Sequence, residues 1–297
     1  MLGRLVITGA GGQLGGVLAA QASEKGSDQG SEKGSDVLAL TSSQWDITDP
    51  EAAERIVRKG DVVINCAAYT NVDGAESDES RAHAVNVTGP GHIARACARA
   101  GARLIHVSTD YVFGGDPAAP RRPYEPSDPT APLGVYGHTK HAGELAVLDA
   151  LPEAVVVRTA WVYTGGTGRD FVAVMRRLAA GDGPVEVVDD QAGSPTYVAD
   201  LAAALLEVAG AGVSGPILHA ANGGETSRFE QARAVFELCG ADPERVQPVP
   251  TTKNPRPAPR PGYSALGSRE SAEHGLTPLR PWRSALVAAL AAANLNA

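Results

Sequence analysis

The 297-residue chain is long enough for one large or two modest domains with a full core. Its 43% hydrophobic and 20% charged content is that of an ordinary globular protein, and a net charge of −8 argues against nucleic acid or an anionic membrane as main partner. Cys66, Cys97 and Cys239 are odd in number and share no C-x-x-C spacing, which argues against a disulfide frame or zinc site and for a reducing compartment.

No run reaches about 18 apolar residues, and the N-terminus enters a strand almost at once, so a cytoplasmic protein without signal peptide or membrane span is expected. Arg4 to Thr8 reads as a short buried strand. Gly9-Ala10-Gly11-Gly12-Gln13-Leu14-Gly15 follows and opens an apolar helical run to Ala22. Strand, glycine turn and helix is the context in which G-x-x-G-x-x-G predicts a dinucleotide site. Gly9 permits the tight turn, Gly12 lets the backbone approach a pyrophosphate, and Gly15 lets helix and strand pack closely. The helix N-terminus adds unpaired N–H groups for the anion, which brings Gly11, Gln13 and Leu14 into the cofactor-binding set.

A Ser-Glu-Lys-Gly-Ser-Asp repeat at 23–28 and 31–36 is too polar to bury a core and is expected to form a mobile surface loop. Val37 to Leu40 is the second strand, ending in Thr41-Ser42-Ser43 where a dinucleotide fold often has a carboxylate for the ribose 2′-OH. Without that carboxylate a 2′-phosphate is tolerated, so NADPH is favoured and NADH stays open; no arginine stands beside these hydroxyls. Asp46-Ile47-Thr48-Asp49-Pro50 is a helix-capping turn, and Thr41, Asp46 and Ile47 join the cofactor-binding set. Asp61 to Ala68 is a third strand, apolar enough to be buried on both faces. The small Ala67 and Ala68 at its carboxyl end leave room for a flat cofactor, and with Tyr69 they join the cofactor-binding set.

Residues 80–100 read as helical, with a bend at Asn86 and Pro90. Leu104 to Ser108 is a fourth strand that delivers Thr109-Asp110-Tyr111 to the sheet edge where open parallel sheets bind ligands. A proline-rich loop from Pro117 to Pro132 leads into Val135-Tyr136-Gly137-His138-Thr139-Lys140. On a helix, Tyr136 and Lys140 share one face. A phenol with pKa of about 10 exchanges its proton poorly at neutral pH. A nearby ammonium is expected to lower that value and make Tyr136 a usable acid or base. The spacing alone also arises by chance on amphipathic helices; the glycine turn upstream supplies the reason for a proton donor.

Val155 to Thr159 is another strand, followed by Ala160-Trp161-Val162-Tyr163. Beyond about residue 165 loops and helices dominate, with Gln191 to Thr196 and Pro255 to Gly262 as structured loops and Trp282 to Ala293 as a closing amphipathic helix. The expected fold is α/β: a Rossmann-type doubly wound parallel sheet with a smaller C-terminal substrate-binding lobe. Residues 1–160 would form the NAD(P)-binding domain, with a later strand and helix from 185–220, and 161–297 mainly the substrate lobe.

In order along the chain, the glycine motif, Asn65 to Asp73, the strand-end Ser108-Thr109-Asp110-Tyr111-Val112-Phe113, Tyr136-x-x-x-Lys140, Arg158-Thr159-Ala160-Trp161-Val162-Tyr163, Asp190 to Thr196 and Pro257 to Pro261 resemble the RmlD family. That family lies within the extended short-chain dehydrogenases/reductases. The resemblance implies NAD(P)H-dependent reduction of the C4 keto group of dTDP-4-dehydro-6-deoxy-L-mannose to dTDP-L-rhamnose, for cell-wall polysaccharide. It makes Tyr136 the acid for the C4 alkoxide. Lys140 would tune Tyr136 and hold the nicotinamide ribose, and Thr109 would bond the carbonyl oxygen. Asp110 and Trp161 would contact the sugar and Arg260 its pyrophosphate; core packing is the plain alternative for Trp161, and a solvated surface for Arg260. Some members join a dimer through Mg²⁺ held by glutamates, but Gly16-Val17 and a last helix without carboxylates stand at those places here. Mg²⁺, and monomer against homodimer, are left open. Rival readings are a 4-ketoreductase of another deoxyhexose nucleotide, an epimerase that retains NAD, and a non-catalytic regulatory subunit.

Overall fold

A computed structural model describes residues 3–28, 36–114, 122–166, 168–210 and 212–295. Its centre is a six-stranded sheet formed by β1 (Leu5–Thr8), β2 (Val37–Leu40), β3 (Val62–Asn65), β4 (Arg103–Thr109), β5 (Val155–Thr159) and β6 (Ile217–His219). The strands run side by side as β2-β1-β3-β4-β5-β6, every pairing parallel. Parallel neighbours need crossover connections, so both faces of the sheet are covered by helices and the strands are apolar throughout. One face buries Ile7, Ile64, Val157 and Leu218 against α1 (Gln13–Asp28) and Leu201, Leu205 and Val208 of the helix Val198–Ala209. The other buries Val6, Val63 and Leu104 against α2 (Pro50–Ile56), α3 (Gly89–Ala100) and α4 (Val135–Ala150). Each such aliphatic side chain contributes about 1.5–3 kcal/mol.

The chain winds outward one way from β1 to β2 and the other way from β3 to β4. The switch point therefore lies between β1 and β3, above their carboxyl ends, where such sheets bind ligands. A third cluster lies outside the sheet. It joins Val172 and Met175 of α5 (Phe171–Ala179), Val235 and Phe236 of the helix Arg228–Leu238, and Leu286 and Leu290 of the last helix, Trp282–Leu295. The parallel pair Val185–Val188 and Val246–Val249 belongs to this lobe.

Two local expectations change. The first copy of the polar repeat is not a loop: α1 continues through it to Asp28, with Ser23 Oγ donating to Ala19 O at 2.9 Å. Helical hydrogen bonds propagate once started, so a polar stretch can extend an amphipathic helix that is anchored elsewhere. Residues 29–35, and 117–121 of the proline-rich loop, lie outside the described residues. The bend expected at Asn86 is a π-helical turn, Ala84–Thr88, between Glu79–His83 and α3. Asp49 caps α2 as expected, accepting from Glu51 N with Pro50 at the first helical position.

Candidate active site

The glycine turn is built by close backbone contact. Gly9 has φ +66°, and a Cβ there would stand 2.8 Å from Ala67 N. A Cβ on Gly15 would stand 2.3 Å from Gly9 O. Neither position admits a side chain, so the loop lies flat on the end of β3 while α1 starts directly above it. Gly11 faces the Thr41 side chain at the end of β2. Thr41 Oγ1 is engaged by Ser43 and Gln44, and Asp46 Oδ1 accepts from Thr48. Ile47 is buried against Gly89, and Gln13 Nε2 reaches Asp170 Oδ2, the N-cap of α5, at 3.3 Å. This glycine cradle and the open carboxyl edge of the sheet fit a dinucleotide held by backbone N–H groups.

Beside the cradle, Ala67 N donates to Thr8 Oγ1 and Asn65 Oδ1, both at 3.2 Å. Tyr69 N donates to Asn86 Oδ1 at 2.8 Å, and Asn86 Nδ2 donates to Thr139 Oγ1 of α4 at 3.1 Å. The π turn thus aims one buried amide at two elements, the loop after β3 and the helix that carries Tyr136 and Lys140.

Tyr136, Thr109 and Lys140 come together over the end of β4. Thr109 Oγ1 donates to Asp110 Oδ1 at 3.1 Å and accepts from Tyr111 N at 3.2 Å, and its hydroxyl lies near enough to Tyr136 to act on that phenol. The Tyr136 and Tyr111 rings meet edge to face at 5.4 Å. Lys140 Nζ donates to Val107 O at 2.8 Å and lies 3.5 Å from His106 Nε2. The expected acidification of Tyr136 by Lys140 is not found. Burial pushes the phenol well above its usual value, the Thr109 hydrogen bond only partly opposing it, while the lysine faces β4. Burial also brings Lys140 down to about 8, with Glu144 and Cys66 pulling the other way.

Asp110 is buried and pushed up to about 6 by burial, against hydrogen bonds from Ser264 Oγ at 2.6 Å and from Thr109. Trp161 is the one non-glycine residue with positive φ, at 46°, among the described residues. Its indole is wedged between Gly193, where a Cβ would stand 2.6 Å from Cε2, and the Arg228 guanidinium, 3.5 Å above the ring. Arg228 was not among the expected site residues. Burial brings it down to about 10, with Tyr111 and Asp110 attracting it.

Arg260 does not stand free. Its Nη1 donates to Asp73 Oδ1 and to Ala258 O, each at 2.6 Å, and Arg256 Nε also donates to Asp73. Although burial pushes Asp73 up, the bonds from Arg260 and Arg256 hold it at about 2. The loops around 191 and 260 are zipped together, Ala192 N donating to Gly262 O and Ser264 N to Ala192 O.

Sheet order, switch-point cradle and the Thr–Tyr–Lys cluster define a Rossmann-type protein of the extended short-chain dehydrogenase/reductase architecture. The profile of the RmlD substrate binding domain matches residues 3–295. The chain is 73% identical over 290 residues to a dTDP-4-dehydrorhamnose reductase of Mycobacterium tuberculosis, covering 97% of this chain and 93% of that protein. A crystal structure of a dTDP-4-dehydrorhamnose reductase from Clostridium acetobutylicum superposes with TM-score 0.87 at 34% identity, over 98% of this chain and 99% of that one. The enzyme of the same name from Bacillus anthracis, in complex with NADP, gives 0.85 at 34% identity over 96% and 98%. The chain belongs to the RmlD family, and with it to the oxidoreductases.

Proposed function

We propose that the chain reduces the C4 keto group of dTDP-4-dehydro-β-L-rhamnose to dTDP-L-rhamnose, as the final step in making that sugar nucleotide in the cytoplasm. The observation that carries this reading is the meeting of Tyr136, Thr109 and Lys140 at the carboxyl edge of β4, beside the cradle that Gly9 and Gly15 form on β3. Bound at that cradle, a nicotinamide cofactor supplies the hydride; NADPH is the favoured form, because Thr41 and Ser43 present hydroxyls and no carboxylate to a 2′-phosphate.

Gly9, Gly11, Gly12, Gln13, Leu14 and Gly15 would hold the pyrophosphate, with Thr41, Asp46 and Ile47 toward the adenosine and Ala67, Ala68 and Tyr69 along β3. Thr109 would bond the carbonyl oxygen and strengthen that bond as charge develops on it. Tyr136 would give its proton to the C4 oxygen. The phenol is protonated at neutral pH, the form an acid requires. Burial raises its pKa away from the operating pH, so the transfer depends on the negative charge that develops on the C4 oxygen. Asp110 and Trp161 would contact the sugar. Arg260 would meet the diphosphate only with its Asp73 contacts rearranged.

Initial rates with NADPH and NADH on the dTDP-4-keto sugar, with the product identified by NMR, test the proposal. Keto-sugar-dependent oxidation of NADPH yielding dTDP-L-rhamnose is expected. No oxidation would overturn it, and a different C4 epimer or deoxyhexose would move the substrate to another 4-keto sugar nucleotide.

A further inference from the structure

Beneath the site, a buried polar chain runs across three strands, from Thr8 on β1 through Asn65 on β3 to His106 on β4 and then Lys140. Its donor and acceptor order is fixed at one end. Asn65 Oδ1 accepts from Thr8 Oγ1 at 2.6 Å and from the Ala67 backbone N–H at 3.2 Å. With the Asn65 oxygen on that side both contacts are hydrogen bonds, whereas a turned amide would set Nδ2 against the Ala67 N–H, which can only donate. The Asn65 Nδ2 therefore faces His106 Nδ1, 3.0 Å away, as a donor. Burial, aided by the Lys140 charge, holds the His106 ring neutral. A neutral imidazole that accepts at Nδ1 carries its hydrogen on Nε2. That hydrogen points toward Lys140 Nζ, 3.5 Å off.

Two donors then face each other whenever Lys140 is an ammonium. A neutral amine would instead accept the ring N–H while still donating to Val107 O. The other groups around Lys140 do little to hold the charge. Tyr136 on the same helix is a protonated phenol, and burial pushes the Cys66 thiol at the end of β3 up to about 12. Glu144 attracts Lys140, but both its oxygens already accept from Arg158.

We propose that His106 is a positioning residue for Lys140: a ring tautomer locked by Asn65 offers the lysine nitrogen an N–H in place of a lone pair, making Lys140 a releasable proton carrier, not a permanent cation. On release one proton leaves Nζ for water, the amine lone pair takes up the His106 Nε2–H bond, and no bond to carbon changes. This rests on the reading that Lys140 stands beside Tyr136 in a site that reduces a keto sugar, yet it concerns a charge state that is measured without turnover.

The chain has five lysines, so ¹³Cε-lysine NMR over a pH series resolves each titration, with Lys140→Arg assigning the signal. The Lys140 signal is expected to titrate near pH 8. In His106→Gln, whose amide oxygen can face Nζ, the midpoint should rise by about one pH unit or more. An unchanged midpoint in a folded variant overturns the proposal. In the unaltered protein, ¹⁵N shifts of the His106 ring should show the hydrogen on Nε2; a hydrogen on Nδ1 overturns the proposal whether or not the variant folds. A His106-dependent lysine titration in a protein that turns over no keto sugar would overturn the proposed reaction and leave this inference standing.

Discussion

Arg158 on β5 and Glu144 on α4 form a bidentate ion pair with no more than 2% of either side chain exposed, Nη2 to Oε2 at 2.7 Å and Nε to Oε1 at 2.9 Å. Glu144 lies one turn beyond Lys140, which lies one turn beyond Tyr136. The pair therefore pins to the sheet the helix face that carries both candidate catalytic groups.

Arg158→Met should cost about 3–5 kcal/mol, because the surviving Glu144 carboxylate stays buried without a partner. Denaturant unfolding of the variant beside the parent protein measures this. A loss below about 1 kcal/mol would show that water reaches Glu144.

Tyr136→Phe keeps the ring that meets Tyr111 and removes only the hydroxyl. Turnover of the keto sugar should fall ~10²–10⁴-fold, while nicotinamide binding, followed by fluorescence titration, changes little. Turnover close to the parent rate would remove Tyr136 from the chemistry.

Gly193→Ala is a test of Trp161 that leaves the indole chemistry intact. The added Cβ would stand 2.6 Å from Cε2 and must push the ring toward Arg228. KM for the sugar nucleotide should rise about tenfold, as displacing one well-placed contact by about 1.4 kcal/mol does, with KM for the nicotinamide unchanged. Equal effects on both substrates would place Trp161 in general packing.

Asp110 gives a pH signature. Burial raises its pKa from 3.8 to about 6, so the folded protein holds this proton more tightly than the unfolded chain. The associated stability is fully present below about pH 4 and is lost as pH rises through about 6. At about 1.4 kcal/mol per unit, the loss is on the order of 3 kcal/mol. Asp110→Asn should flatten that interval in unfolding measurements at pH 4.5 and 7.5; an unaltered slope would mean that other carboxylates set it.

What the chain announces in advance is what short-range chemistry dictates. The glycine turn after Thr8, the cap at Asp49 and the Tyr136–Lys140 face all follow from local pattern, and the structure places these elements as read. Contacts that join distant segments were not legible. Nothing in Thr-Ser-Arg-Phe says that Arg228 will lie over Trp161, and nothing in Pro-Arg-Pro says that Arg260 will answer to Asp73. His106 did leave a trace: a lone imidazole inside Leu-Ile-His-Val-Ser sits where an aliphatic residue would complete a buried strand. The end of α1 was misjudged for the opposite reason, since composition favoured a loop and the anchored helix simply ran on.

The π turn at Ala84–Thr88 makes the helix before the site sensitive to chain length in a way its sequence hides. Such a turn holds one residue more than an α turn. Deleting one residue there would let the helix relax into regular α form, with the residues before and after the turn keeping their faces. Asn86 would lose the bulged position from which it reaches both Tyr69 and Thr139, while the buried Ile93 and Cys97 stay turned inward. A one-residue deletion at this point should thus spare the packing of α3 and be felt at the site instead.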